Sequence, residues 1–378
     1  MMIEIRGAGF VNKGAELMLC AIRQRVSEEL PDANFVMEPR SRTASYLERA
    51  RMGFYQKLPY SSDKKGVSKL SKISKESRLM YGLVLDSEID VVLDASGFAY
   101  SDQMGDTKSV RLAKFIKQWK RQGTKVVLLP QAFGPFSTSP IKNAIKVIAD
   151  YADLIFTRDK VSYNYLTGVV GERNNIKMST DFTNLVEGVF PERYSRIQNR
   201  FCFVLNNQMI KKTTPEISAA YVPFLISCLR ILKSKGENPF ILVHCKEDTE
   251  LAALVASRLN EKVEIVIESD PLVIKGILGA CGGAISSRFH GLVSALSQGV
   301  PSLAAGWSHK YHMLFEDYGF EEGLIDPTAS EDEIRTKIDT VTDPDLSLKI
   351  RSRINENSER LKQCSEAMWK DIFYLINS

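Results

Sequence analysis

Arg288 and His290 are the residues of this chain with the clearest chemistry in their spacing. They lie in the stretch Ile285-Ser286-Ser287-Arg288-Phe289-His290-Gly291-Leu292, which Gly299-Val300-Pro301 and then Lys310 follow. The apolar run 283–285 reads as a strand end, Ser286 and Ser287 are good helix-capping types, and Leu292 and Leu296 repeat at helical spacing. The pattern therefore puts Arg288 and His290 in the first turn of a helix, where unpaired backbone amides already favour negative charge. An anion pocket is predicted, with a small, multiply charged ligand.

The elements that must hold such a pocket alternate between strand and helix along the chain, which predicts an α/β fold with mainly parallel sheets. Residues 3–5 open the first strand, 14–30 read as a helix stopped by Pro31, and 34–37 as the next strand. Residues 91–93 form a buried strand ending in Asp94-Ala95-Ser96-Gly97, 110–120 an amphipathic helix, and 125–129 a strand ending at Pro130-Gln131. Helix 141–151, strand 153–157 and a helix from 160 to 166 complete a first domain over 1–190.

Residues 188–200 read as a linker. Strand 201–205, helix 215–235, strand 240–244, helix 249–259, strand 263–267, helix 271–279, the Arg288/His290 unit and strand 302–305 then build a second domain over 201–345. A helical tail, 346–378, is expected to pack back on the first domain. The composition of 60–78, rich in Ser, Gly and Lys, reads as a mobile loop. The fold class is α/β, two Rossmann-like domains facing a central cleft, with ligands expected beyond the carboxyl ends of the strands.

Composition narrows the function. The 378 residues suffice for two domains, and 44% apolar content is ample for buried cores. A net charge of +4 is too mild to argue a nucleic-acid partner. The six cysteines, Cys20, Cys202, Cys228, Cys245, Cys281 and Cys364, show no Cys-x-x-Cys pair and read as reduced thiols. Met1 leads directly into a strand with no signal-peptide pattern, and no run of 18 apolar residues occurs, so a soluble, cytoplasmic protein is expected.

Several segments taken in order resemble the polysaccharide pyruvyl transferases. They are Gly9-Phe10-Val11-Asn12-Lys13-Gly14-Ala15-Glu16, Asp94-Ala95-Ser96-Gly97, Pro130-Gln131-Ala132-Phe133-Gly134-Pro135, Thr157-Arg158-Asp159-Lys160-Val161-Ser162, Thr180-Asp181-Phe182 and Ser287-Arg288-Phe289-His290, then Gly299-Val300-Pro301 and Lys310. Departures from the common family pattern occur at Ala15 and at Asp94-Ala95.

The resemblance implies a fold like that of GT-B glycosyltransferases and transfer of a pyruvyl group from phosphoenolpyruvate to two hydroxyls of a sugar, giving a cyclic ketal and phosphate. No further cofactor is expected, and no metal, because the chain's own cations can neutralise the donor. The family's functional Arg, His and Lys fall on Arg158, His290 and Lys310. Arg288, Ser287, Asn12, Gly14, Gln131 and Asp181 are the expected substrate contacts. A donor near three negative charges needs fixed cations, guanidinium for planar bidentate contact and ammonium as a point charge. His290 is the expected general acid, with hydrogen bonding to the departing phosphate as its alternative role. Asp94, Asp181 and Glu16 are candidate bases, Asp94 preferred.

Competing readings are specific. A glycosyltransferase with a nucleotide-sugar donor would call on Glu316 or Asp317 as a ribose-binding carboxylate, and a non-catalytic relative would keep only the anion pocket. His309 and His312 flank Lys310, yet the spacing lacks the carboxylates a metal site needs. Gly7-x-Gly9 lacks the third glycine of a dinucleotide fingerprint, so a turn that brings backbone close to a ligand is the better reading. The lysines of 64–75 are expected to be a solvated face, with contact to anionic lipid or a lipid-linked acceptor as the alternative.

Overall fold

Buried apolar strands and amphipathic helices build two parallel sheets, each in its own unit, in a computed structural model that describes residues 1–40, 43–58, 72–259, 261–306 and 308–378. Unit 1 comprises Met1–Val11, Met18–Phe182 and Cys364–Ser378; unit 2 comprises Asn12–Leu17 and Thr183–Gln363. Both units are Rossmann-like α/β folds.

In chain order the first part of the molecule contains β1 (Met2–Arg6), α1 (Lys13–Glu29), β2 (Asn34–Met37), α2 (Tyr46–Arg51), β3 (Tyr55–Lys57), α3 (Lys75–Met80), β4 (Leu83–Val84), β5 (Val91–Asp94), α4 (Thr107–Arg121), β6 (Lys125–Gln131), α5 (Ser139–Tyr151), β7 (Leu154–Thr157), α6 (Lys160–Val170) and β8 (Ile176–Met178). The sheet of unit 1 runs β4-β3-β2-β1-β5-β6-β7-β8, all pairs parallel. Its central strands are buried on both faces, as near-continuous apolar runs in parallel sheets must be. Helix α4 lays Leu112, Ile116 and Trp119 on the sheet and α5 lays Ile141, Ile145 and Ile148, each a stripe at helical spacing.

Unit 2 contains β9 (Phe201–Val204), α7 (Gln208–Lys211), α8 (Pro215–Ser234), β10 (Phe240–Val243), α9 (Thr249–Ser257), β11 (Glu264–Ile267), α10 (Pro271–Gly279), β12 (Gly283–Ser286), α11 (Phe289–Leu296), β13 (Ser302–Ala304), α12 (His309–Asp317), α13 (Glu331–Thr342) and the first part of α14 (Pro344–Asn377). Its parallel sheet runs β11-β10-β9-β12-β13. In each sheet the strand order reverses once, at β1/β5 in unit 1 and at β9/β12 in unit 2. Ligands of open α/β sheets bind beyond the carboxyl ends of strands at such reversals.

Two local expectations are corrected, and three short strands are added. The stretch 60–78 is not all loop: α3 ends it, its Ser74 cap accepts from the Ser77 amide, and Arg78 pairs with Glu88; the rest of that stretch, 60–71, lies outside the described residues. The expected linker 188–200 is packed. Gly188 lies so close to the Gly276 backbone that a Cβ there would be 2.5 Å from the Gly276 nitrogen, and a 3-10 turn, Glu192–Ile197, buries Tyr194 and Ile197. The short strands β3, β4 and β8 were not anticipated, because runs of two or three residues carry too little periodicity to read.

The tail forms α14, whose residues from Cys364 onward belong to unit 1. There Lys125 Nζ donates to the Leu375 carbonyl (2.7 Å), Lys177 pairs with Asp371 (2.8 Å), and Trp369 meets Phe182 edge-on.

Candidate active site

Unit 2 gathers most of the expected donor-side residues at the carboxyl ends of β10, β9, β12 and β13. The chain leaves β12 at Ser286, whose hydroxyl accepts from the Arg288 amide (3.1 Å), and enters α11 at Phe289. The helix cap is therefore Arg288 in extended conformation, not Ser286 or Ser287. Ser286 is the last residue of its strand, and Ser287 is buried with its carbonyl accepting from Asn206 Nδ2 (2.8 Å) and the Tyr311 hydroxyl (2.9 Å). His290 is then the second helical residue, half-buried in the first turn of α11.

Arg288 is held in a bidentate pair with Asp248: Nε to Oδ2 at 2.9 Å and Nη2 to Oδ1 at 2.7 Å. Asp248, 1% exposed, also accepts from the Asn207 amide (2.9 Å). Burial alone would lower the guanidinium's pKa; the Asp248 carboxylate outweighs it and raises it, so the cation is permanent. Asp248 escaped the sequence reading because it is forty residues from its partner. The available signal was an acid just beyond the carboxyl end of a strand in the same sheet.

The first turn of α1 belongs to this unit and lies against the same site. Asn12 forms an antiparallel bridge with Cys245, just after β10, and its side chain accepts from the Gly14 amide (3.0 Å), starting the helix. A Cβ on Gly14 would fall 2.4 Å from Nδ1 of His290, so only glycine permits this approach. Lys13 pairs with Glu16 at 2.5 Å.

Lys310 lies in the first turn of α12, its Nζ 5.3 Å from the centroid of Phe289 and 5.5 Å from that of Tyr311. Phe289 in turn meets the His290 ring edge-on at 5.6 Å. Glu316 and Asp317 are in the last turn of the same helix, at the end away from Lys310.

His244, the residue after β10, was not anticipated. It is 3% exposed, and its Nδ1 has no hydrogen-bond partner among the described residues. Burial, then the neighbouring Arg288, His290 and Lys13, push its pKa well below the ordinary imidazole value.

Unit 1 holds Arg158, Asp181 and Gln131. Gln131 ends β6 and is in register with Thr157 at the end of β7, and the Arg158 amide donates to the Gln131 carbonyl (3.0 Å). Arg158 Nη1 pairs with Asp181 Oδ2 at 3.2 Å, both residues buried. The Gln131 amide is wholly buried with neither polar atom partnered among the described residues. Asp159 caps α6 by accepting from the Ser162 amide (2.7 Å), which fixes the turn that carries Arg158.

Asp94, the preferred base, ends β5 beside β1 and is fully buried. Its Oδ2 accepts from the Tyr100 hydroxyl (2.8 Å) and faces Arg6 Nε (3.3 Å), and its Oδ1 accepts from the Ser96 amide (3.1 Å). Both oxygens are thus engaged in holding the β1/β5 crossover, which makes Asp94 the least accessible of the three candidate carboxylates. Burial, then Asp94, raises the Tyr100 pKa well above the ordinary phenol value, so the proton stays on the tyrosine.

A family model described as polysaccharide pyruvyl transferase matches residues 12–309. No curated protein matches the chain. Among solved structures, S. aureus MnaA with UDP is similar at 11% identity, covering 100% of this chain and 96% of that chain, with a TM-score of 0.63. Anabaena Alr3699/HepE with UDP and glucose is similar at 12% identity, covering 100% and 99%, with a TM-score of 0.59. Phytolacca americana UGT2, complexed with UDP-2fluoro-glucose and pterostilbene, is similar at 11% identity with full coverage of both chains and a TM-score of 0.55. At these identities the likeness is one of fold, the two-domain GT-B arrangement of elements.

Proposed function

The chain belongs to the polysaccharide pyruvyl transferase family, a family of transferases, and from that premise we propose that it moves the pyruvyl group of phosphoenolpyruvate onto two hydroxyls of a glycan or lipid-linked sugar. The products are a cyclic ketal and inorganic phosphate. The donor's methylene carbon gains a proton, the first sugar oxygen bonds to C2, phosphate leaves, and the second oxygen closes the ring. One hydroxyl proton ends on the new methyl group and the other departs with phosphate.

The observation that carries this reading is the grouping in unit 2 of a fixed guanidinium (Arg288), an imidazole at a helix start (His290) and an ammonium (Lys310) on neighbouring strand ends. A donor with a carboxylate and a phosphate requires such a set. His290 is assigned the proton for the methylene carbon. Arg158, the residue on which the family's functional arginine falls, has its guanidinium oriented by Asp181. No further cofactor enters, and the donor is taken from the cytoplasm.

A nucleotide-sugar reading gains nothing from α12, where Glu316 and Asp317 sit at the opposite end of the helix from Lys310. The test is to incubate purified protein with phosphoenolpyruvate and β-galactosides or N-acetylmannosamine derivatives. Acceptor-dependent phosphate release with a pyruvylated glycan by mass spectrometry is expected. Turnover of a nucleotide sugar with no phosphate released from phosphoenolpyruvate would overturn the proposal.

A further inference from the structure

We propose that His244 is a donor-contacting residue of the unit 2 anion site, its imidazole hydrogen-bonding a phosphate or carboxylate oxygen of the bound donor; this rests on the phosphoenolpyruvate reading above.

Place is the first argument. His244 directly follows β10, which pairs with β9, which pairs with β12, so its position is one strand removed from the reversal at which Arg288 emerges. Its neighbour Cys245 bridges Asn12, which brings the first turn of α1, with Gly14 against His290, onto the same strand end. Asp248, four residues on, grips Arg288. The strand end that carries His244 is thus also the one that Asn12 meets and from which Asp248 reaches Arg288.

The second argument is an unmade bond. The large majority of buried side-chain polar atoms are hydrogen-bonded, because leaving one dry and unpaired costs stability. His244 is 3% exposed and its Nδ1 has no partner among the described residues. An imidazole left this way beside a set of cations is a group reserved for something that binds there.

Charge is the third. The groups facing His244 are Arg288 after β12, His290 on α11 and Lys13 on α1, while the carboxylate of Asp248 is taken by Arg288. Burial and these neighbouring basic groups disfavour a charge on the imidazole, which stays neutral. It therefore has one N–H to give and adds direction rather than charge. Arg288 and Lys310 attract any small polyanion; His244 selects one with an oxygen at the right angle.

The experiment is isothermal titration of phosphoenolpyruvate, and separately of inorganic phosphate, into the full-length protein and three variants, with thermal melts of each. His244→Phe fills the space without a donor and is expected to weaken phosphoenolpyruvate binding by about tenfold to a hundredfold, the size of a hydrogen bond to a charged group. His244→Asn and His244→Gln place an amide near Nδ1 and Nε2 respectively, and one of them is expected to recover most of that loss. Phosphoenolpyruvate binding by His244→Phe equal to wild type overturns the inference, as does loss from all three variants together with their melting temperatures. If wild type itself binds neither probe, the donor assignment fails, an outcome seen in the wild-type arm alone.

Discussion

Gly14, in the first turn of α1, rests against the His290 imidazole so closely that a methyl group on it would reach within 2.4 Å of Nδ1. Helix propensity favours alanine at such a position by about 1 kcal/mol. The contact opposes that gain, because the ring or the helix must shift. Gly14→Ala is expected to leave the melting temperature within a few degrees of wild type while lowering kcat at least tenfold, since proton transfer depends on placement. Unchanged kcat would show that His290 tolerates displacement and is not the proton donor.

Substitutions at His290 separate its two roles. His290→Ala is expected to lower turnover by roughly a hundredfold or more, the usual scale of general acid catalysis. His290→Gln, which hydrogen-bonds but cannot deliver a proton at neutral pH, should be as slow. Retention of most turnover in the glutamine variant would mean that the imidazole only binds the leaving phosphate.

Asp248 is predicted to act through Arg288. Removing it in Asp248→Ala leaves a buried guanidinium unpaired, which costs on the order of 3 to 5 kcal/mol of stability. Asp248→Asn keeps an acceptor and is expected to fold, with KM for phosphoenolpyruvate raised and kcat less affected. Urea denaturation and steady-state kinetics check the two parts; a normal KM in a folded Asp248→Asn protein would remove the positioning role.

For Asp94 the expected defect is structural. Its oxygens hold Arg6, Tyr100 and the Ser96 amide, so Asp94→Asn should lower the urea midpoint clearly. Any loss of rate should follow the unfolded fraction. A stable Asp94→Asn protein with kcat reduced a thousandfold would return Asp94 to the role of base.

Stability should also depend on pH through His244. Its folded pKa is well below the ordinary value of 6.5, so the unfolded chain binds a proton that the folded one refuses. This contribution is intact above about pH 6.5 and is lost as pH falls, at up to about 1.4 kcal/mol per unit until the folded pKa is reached. Comparing urea midpoints of wild type and His244→Asn at pH 7.5 and 5.5 should show a smaller acid loss in the variant. Equal losses would mean that His244 is not held neutral.

Much was legible in the chain itself. The alternation of apolar strands and amphipathic helices sufficed for two α/β sheets, and Arg288, His290 and Lys310 stood out because charged or protonatable side chains follow strand-like runs. That information is local, carried by periodicities of two and 3.6 residues and by capping chemistry. The partners were not legible. Asp248 for Arg288, Gly14 for His290, Tyr100 and Arg6 for Asp94, and the isolated His244 all depend on which strand lies beside which, and strand order is set by packing between residues far apart in sequence. Amino-acid order thus determined which side chains could attract an anion; the sheet order decided which of them are held, which are occupied and which remain to be satisfied, because ion pairing and burial are properties of neighbours in space.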